Sequence, residues 1–184
     1  MGFSSGKYFP ETAAGNVFNG HTAAAGTTYP LSTGTAATFG LWNTSTDKYA
    51  VLLKLNMGFT SGTIALGEVG LSEVYAVQVA TGSNITAFTD GVVGTTIRNG
   101  IVGGGKASSM RFTPSAATVV AGTAFYWTGM STEGATGVGP RNATSHDFDG
   151  TVIVPPGRFV FVVGSIAQTA LYSISLIWAE VDIN

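Results

Sequence analysis

The sequence contains no cysteine, only two histidines and few charged residues. Of its 184 residues, 10% are Asp, Glu, Lys or Arg, well below the roughly 25% that is usual in a soluble domain. The absence of cysteine excludes a disulfide scaffold and every thiolate metal site. With two histidines, the chain offers few imidazole ligands for a metal centre. The chain therefore lacks the residues on which many small stabilised domains and metalloproteins depend.

The positive charges are too few and too scattered to form a nucleic-acid site. The eight Lys and Arg residues stand singly along the chain, and the formal net charge is −2. A protein that binds phosphates needs a basic cluster, so we expect no nucleic-acid partner. No apolar run approaches the length of a membrane span, and the N-terminus lacks the basic and apolar regions of a signal peptide. We therefore expect no membrane partner and synthesis without an export signal.

Small neutral residues take the place of charge. The chain has 26 Gly, and Thr, Ser and Ala fill much of the remainder. Such a surface is solvated by hydroxyls and backbone, which gives a free monomer little protection against association. Because the cores of protein interfaces are depleted of charge, we favour a subunit of an assembly. The alternative is an isolated β-domain with a neutral polar surface.

The last third of the chain predicts three consecutive β-strands. The first, residues 151–154, ends at a Pro-Pro-Gly turn, since proline cannot donate to a ladder and glycine accepts a positive φ. Residues 159–163 contain no polar side chain, which is typical of a strand covered on both faces or at a subunit contact. Residues 171–183 form a long closing strand, which we expect to be central. One of its faces carries four large side chains: Tyr172, Ile174, Leu176 and Trp178.

The rest of the chain also predicts strands, and no window of helical length shows apolar residues at the 3.6 period. We expect further strands at residues 16–21, 36–43, 49–57, 63–71, 73–80, 109–113 and 118–128, and a long loop at 131–149. Many short strands at about 8–12-residue spacing favour a sandwich or jelly roll. We therefore predict an all-β fold, a single-domain antiparallel β-sandwich of jelly-roll type. It spans residues 16–184 and follows a short extended N-terminal arm, residues 1–15.

Two stretches come near to chemical motifs. Residues 100–107, GIVGGGKA, lack the hydroxyl residue of a phosphate-binding loop, since Ala107 stands in its place, and they lack a strand before and a helix after. His146, Asp147 and Asp149 offer an imidazole and carboxylates to a metal, but adjacent residues on an extended chain point to opposite sides. We interpret these stretches as a glycine hairpin loop and as a solvated loop or inter-subunit contact. We predict no catalytic residue, no cofactor and no metal site, and hence no enzyme.

The run of three aromatic residues at 125–127 indicates an apolar surface that another part of the chain or another subunit covers. Neighbours on a strand lie on opposite faces, so one face of this run fills the core. The other face either lies under a loop or meets another subunit, a setting that favours Tyr and Trp. The candidate subunit-interface residues are Phe125, Tyr126, Trp127, Phe159 and Phe161.

Several packing and turn motifs carry a family resemblance. They are GNVF at 15–18, FGLWN at 39–43, YAVLLKL at 49–55, DGT at 149–151, VPPG at 154–157 and IWAEV at 177–181. Together they resemble small jelly-roll proteins encoded by tailed bacteriophages, among them capsid decoration (cement) proteins. The likeness covers most of residues 16–183 and is weakest over 82–107.

This resemblance implies a non-enzymatic virion structural protein made in the host cytoplasm. It implies a homotrimer on the outer surface of the head shell, where the protein stabilises the capsid by binding between major capsid proteins. Contacts linked in this way add avidity. The candidate capsid contacts lie on the arm: Phe3, Tyr8 and Phe9. The alternative is that these aromatic residues pack back onto their own domain.

An alternative from another class is a receptor- or glycan-binding head of a tail spike or head fibre. Jelly rolls also serve as lectins. In that case Trp42, Tyr126 or Trp127 on a rim would stack on sugar.

Overall fold

The structure is a computed structural model that describes residues 6–75, 86–87, 97–103, 105–113, 117–119, 124–132 and 143–183. In this part of the chain one helix, α1, spans Phe9–Ala13, and it is too short to cross a membrane. The strands are β1 (Val17–His21), β2 (Ala36–Ala37), β3 (Gly40–Trp42), β4 (Lys48–Ser61), β5 (Gly67–Tyr75), β6 (Thr86–Ala87), β7 (Ile97–Asn99), β8 (Arg111–Thr113), β9 (Ala117–Thr118), β10 (Ala124–Thr132), β11 (Ala143–Val154), β12 (Arg158–Gly164) and β13 (Leu171–Asp182).

The strands form two antiparallel sheets and a small ribbon. The first sheet has five strands in the order β11-β4-β13-β1-β7, and the second has six in the order β10-β5-β12-β3-β8-β6. The ribbon pairs β2 with β9. The closing strand β13 lies in the middle of the first sheet, as the sequence predicts.

Eight of these strands make a jelly roll. In chain order they are β1, β3, β4, β5, β10, β11, β12 and β13. The first pairs with the last, the second with the seventh, the third with the sixth and the fourth with the fifth. This nested pairing is that of two Greek keys wound together, so the predicted all-β jelly-roll sandwich is confirmed. Of the five remaining strands, β2 lies between β1 and β3 in the chain, and β6 to β9 come from the segment between β5 and β10, where β7 and β8 each extend one sheet.

An aromatic core fills the space between the sheets. All four side chains predicted to share one face of β13 are at most 2% exposed. Trp178 stacks with Phe18 and with Phe112, at ring-centroid distances of 6.2 and 6.4 Å. Phe39 meets Phe112 edge to face at 4.7 Å. Aromatic pairs of this geometry stabilise a core beyond the area they bury.

Strand β12 is covered on both faces within the chain itself. Val160 and Val162 belong to the core between the sheets. On the other face, Phe159 and Phe161 pack with residues of the β2–β9 side of the molecule, among them Ala37 and Val119. The first of the two expectations for residues 159–163 is therefore the observed one, and these phenylalanines do not lie on the surface.

The predicted loop at 131–149 is wrong where the structure describes it. Residues 131–132 end β10, and β11 begins at Ala143. This strand has the composition of a loop because it contains a bulge. Asp149 and Gly150 have φ values of 55° and 76°, and the register shifts between Asp147 and Val152. Bulges of this kind insert residues without ending a strand.

Two further boundaries differ from expectation. β5 is one strand, Gly67–Tyr75, where the sequence predicts a break after residue 71. The described part of the arm is not extended, since Phe9–Ala13 forms α1 with a proline in its first turn. Proline is favoured in the first turn because the N–H that it lacks would have no partner within the helix.

A buried asparagine joins three segments of the sandwich. Asn43 is 0% exposed. Its Nδ2 donates to the carbonyls of Lys48 and Val154, both at 2.8 Å, and its Oδ1 accepts the N–H of Ser45 at 3.0 Å. One side chain thus provides hydrogen-bond partners for backbone groups at the start of β4, at the end of β11 and in the turn between β3 and β4.

We predict that Asn43→Ala lowers the free energy of unfolding by about 3 kcal/mol, because it leaves buried backbone groups without partners. Urea denaturation followed by fluorescence measures the change. The matched control is Asn56→Ala, which removes a half-buried amide with one hydrogen bond and should cost less than about 1 kcal/mol. Equal stability of Asn43→Ala and wild type would contradict the assignment.

Two tyrosines pack together under the loop that follows β1. Tyr29 and Tyr172 are 1% and 2% exposed, and their ring centroids lie 5.4 Å apart. Reciprocal backbone hydrogen bonds of 2.8 Å between Thr27 and Tyr172 fix this loop to β13. Burial raises the pKa of both phenols above the ordinary value of 10.0. The folded state therefore favours the neutral phenols.

This raised pKa predicts a loss of stability at alkaline pH. Where the folded pKa exceeds the unfolded one, the contribution is complete below the unfolded value of 10.0 and is lost as pH rises above it. Urea denaturation at a series of pH values above neutrality should show this decline, and Tyr172→Phe should make it shallower. An equal decline in wild type and in Tyr172→Phe would refute the linkage.

Candidate functional site

The glycine-rich stretch at 100–107 connects the two sheets. It joins β7 of one sheet to β8 of the other, so it is not the hairpin loop that the sequence predicts. The Asn99 amide organises the turn by donating to the carbonyls of Gly15 and Lys106 and accepting the N–H of Ile101. The Lys106 ammonium binds Asn16 at 2.8 Å. The described residues after this stretch lead into a strand, whereas a phosphate-binding loop leads into a helix.

The acidic stretch of β11 separates its imidazole from its carboxylates. His146 faces between the sheets, where its Nε2 lies 3.0 Å from the Tyr126 hydroxyl and its ring meets Phe148 at 4.8 Å. Asp147 and Asp149 point outward. Within the described residues, no group of three or more His, Asp or Glu side chains is placed to hold a metal.

The outward carboxylates bind the arm of the same chain. The Tyr8 hydroxyl donates to Asp147 at 3.1 Å and to Asp149 at 3.3 Å, and Lys7 forms an ion pair with Asp149. The Tyr8 ring packs on an apolar cluster of the first sheet that includes Leu53. Desolvation and the bond to Asp147 raise the pKa of Tyr8. Tyr8, a candidate capsid contact, thus contacts its own domain.

The other two arm aromatics differ from Tyr8. Phe9 is 58% exposed at the start of α1, so its ring is open to a partner. Phe3 lies outside the described residues. Of the three candidate capsid contacts, Phe9 is the one that the structure places on the surface.

The three aromatics of β10 divide as the sequence predicts. Tyr126 turns inward to His146, while Phe125 and Trp127 are 49% and 41% exposed. These two differ from Phe159 and Phe161, which are fully buried. Of the five candidate interface residues, only Phe125 and Trp127 therefore present substantial side-chain area to another chain.

Phe125 belongs to an exposed apolar surface where β10 and β11, edge strands of the two sheets, meet. We call this surface, formed by Phe125, Ile153, Pro155 and Tyr75 around the Glu73–Arg158 pair, the mouth patch. Phe125, Ile153 and Pro155 line a groove of about 290 Å³. Phe125 comes from β10, and Ile153 from β11 in the opposite sheet, with an exposed fraction of 54%. Exposed apolar patches that contain an aromatic ring are typical of protein contact sites.

A charged pair lies within the mouth patch. The Arg158 guanidinium binds the Glu73 carboxylate at 2.8 Å, and it lies 3.3 Å from the centre of the Tyr75 ring. Tyr75 is 51% exposed and completes the mouth patch. Because the two charges compensate each other, the pair gives the patch no net charge that would repel the same patch on a second copy of the chain.

Trp127 packs on the backbone of the neighbouring strand, on the same face of β10 as Phe125. It is opposite Gly70 in the pairing of β10 with β5. A Cβ added at Gly70 would lie 2.7 Å from both the indole ring and the Tyr126 carbonyl oxygen. Gly70 thus gives Trp127 its position, and the ring covers strand backbone that would otherwise meet water.

The aromatics proposed for sugar stacking do not converge on one rim. Trp42 is partly buried beside Phe159 and Phe161, with the Arg111 guanidinium 5.9 Å from its ring. Tyr126 is turned inward, and Trp127 covers β5. The alternative glycan site on these three residues therefore gains nothing from the structure.

Comparison of the chain with family models, with curated proteins and with solved structures gives no match. The fold therefore identifies the chain as a jelly-roll sandwich, and the observations that bear on its role are those of its surfaces.

We predict that Gly70→Ala displaces Trp127 from β5, because no atom fits between the strand and the ring. Acrylamide quenching of tryptophan fluorescence should increase, since the other tryptophans, Trp42 and Trp178, are half-buried or buried. Gly58→Ala is the control, because the nearest atom to its added Cβ is a serine hydroxyl at 3.0 Å and not a ring. Unchanged quenching in Gly70→Ala would contradict the packing of the Trp127 ring on the backbone of β5.

Proposed function

We propose that the chain is a non-enzymatic virion structural protein that decorates and stabilises a bacteriophage capsid as an oligomer. The mouth patch carries the proposal, because it combines exposed aromatic and aliphatic side chains from both sheets with a compensated charge pair. The resemblance of the packing motifs to phage decoration proteins supplies the setting, namely a homotrimer on the outside of the head shell between major capsid proteins.

The mouth patch is suited to contact between subunits. Phe125 and Ile153 would lose their exposed area against a neighbouring chain, and each fully buried side chain of this size contributes roughly 1.5–3 kcal/mol. The Glu73–Arg158 pair lies beside them, so its charges compensate each other inside the contact. A buried charge without a partner would oppose association instead.

The arm provides a second, separate contact. The hydrogen bonds of Tyr8 hold α1 against the first sheet, and this leaves Phe9 exposed on a fixed support. Phe9 is the residue we assign to the contact with the major capsid protein. A subunit that binds itself at one place and the shell at another links several capsid proteins, and such linked contacts add avidity without any chemical centre.

Analytical ultracentrifugation of the full chain tests the subunit contact. We expect a homotrimer for wild type, and dissociation for Phe125→Asp and Ile153→Asp. Placing a charge at the centre of an interface costs about 2 kcal/mol or more, which is roughly a thirtyfold weaker association. Ile166→Asp is the matched control, because Ile166 is 47% exposed in a loop outside the mouth patch and should have no effect. A wild-type monomer at every concentration would refute the proposal.

Electron cryomicroscopy of the phage particle whose genome encodes the chain tests the location. The proposal expects density for the jelly roll on the outer head surface, with α1 towards the shell. Its presence on the tail, or its absence from the particle, would overturn the capsid role. Phe9→Asp should lower the occupancy of the head and leave the oligomer intact, whereas Phe125→Asp should break the oligomer first.

A further inference from the structure

Four adjacent strands place polar side chains without a carboxylate, ammonium or guanidinium group in one row on the outer face of the first sheet. Ser145 of β11 is opposite Asn56 of β4, Asn56 is opposite Ser175 of β13, and Ser175 is opposite His21 of β1. With strands about 4.8 Å apart, the row is roughly 14 Å long. Alternation along each strand directs these side chains away from the core, because their neighbours Met57, Ile174 and Leu176 are buried.

This row lies in a groove of about 470 Å³. The floor of the groove is low because the next outward-facing pair along β4 and β13 consists of two small residues, Gly58 and Ser173. The turn that follows β1, with Ala23 and Ala24, forms one wall, and β11 forms the opposite wall. Small side chains in the middle and longer segments at both sides make the sheet face concave.

The groove lacks Asp, Glu, Lys and Arg side chains but is rich in hydrogen-bonding groups. The Asn56 amide has two donor hydrogens and an acceptor oxygen, and its hydrogen bond within the described residues is the one from Nδ2 to Ser175 Oγ, at 3.1 Å. A second amide hydrogen and the amide oxygen are left for a ligand, next to serine hydroxyls that both donate and accept.

We propose that this groove binds a neutral carbohydrate. A sugar offers hydroxyls that match the amide and the serine hydroxyls, and C–H faces that match the methyl groups of Ala23 and Ala24. Pockets of this size that contain a few placed polar groups are typical binding sites. The site is independent of the mouth patch and of the arm, so it goes beyond the capsid role.

Other classes of ligand fit the groove less well. A phosphate-bearing ligand would need a cluster of cations, whereas no Lys or Arg lines the groove and the next level of the face places one lysine, Lys54, opposite one aspartate, Asp147. A peptide that adds as a strand needs an open sheet edge, whereas β4 and β13 are interior strands with neighbours on both sides. A folded protein partner would need an aromatic or arginine anchor, and none lines the groove.

A microarray of oligosaccharides probed with the labelled full chain tests the inference. The array carries neutral oligomers of glucose, galactose, mannose and N-acetylglucosamine, together with sialylated and sulfated counterparts. We expect binding to a subset of neutral glycans and no preference for the anionic forms. Isothermal titration calorimetry with the strongest neutral oligosaccharide then provides the affinity for the variants.

Two variants act on the groove in different ways. Asn56→Ala removes the amide, and Ser145→Tyr fills the groove from the exposed edge strand. Each should weaken binding about tenfold or more. Thr33→Tyr adds the same bulk at an exposed loop position outside the groove and should bind as wild type does. Phe125→Asp should also bind normally, so failure of the capsid role and failure of the groove give different results.

The inference is overturned if no neutral glycan binds, or if anionic glycans bind better. It is also overturned if both groove variants keep the wild-type affinity. Circular dichroism of each variant confirms that a loss of binding is not a loss of fold.

Discussion

The structure depends on the burial of one face of β13 against the opposite sheet. Tyr172, Ile174, Leu176 and Trp178 lie on one face of β13, and all four are at most 2% exposed. Because β13 pairs with β4 over almost its whole length and with β1 on its other side, the same strand fixes the register of the first sheet. A shift by one residue would turn every one of these side chains towards solvent. The outer face of this sheet, with its polar row, takes its register from the same constraint.

The parts of the fold that follow strict alternation were predictable from the sequence, and the parts built on bulges were not. β12 and β13 carry uninterrupted apolar patterns, so their extents and burial agree with expectation. β11 does not, because Asp149 and Gly150 adopt positive φ values inside a strand, and a short Asp/Gly run has the composition of a loop. What covers the outer face of β12 was equally beyond the sequence, because Phe159 and Phe161 would look the same under a ribbon of their own chain or under a second subunit.

The candidate surfaces show the same division. The alternation of Phe125, Tyr126 and Trp127 was predictable, since neighbours on a strand must face opposite ways. The grouping of Phe125 with Ile153 and Tyr75 was not, because these residues come from three strands of two sheets. The polar row was hidden for a similar reason. His21, Asn56, Ser145 and Ser175 are each an ordinary polar residue on a strand, and only the registers of four strands place them on one level.

The low charge of the chain has a consequence for how its surfaces divide their roles. A charged surface is kept apart from other proteins by solvation and repulsion, whereas this chain has to distinguish contacts by shape and by hydrogen bonding. The mouth patch offers exposed apolar rings, which gain most by leaving water, and the groove offers hydroxyl and amide groups, which gain only where a ligand replaces their water with matched partners. Because these two demands exclude each other at one place, we assign the proposed adhesion to a protein and the proposed recognition of a polar neutral ligand to two separate surfaces. The groove and the mouth patch share no lining residue, so each can be altered by itself.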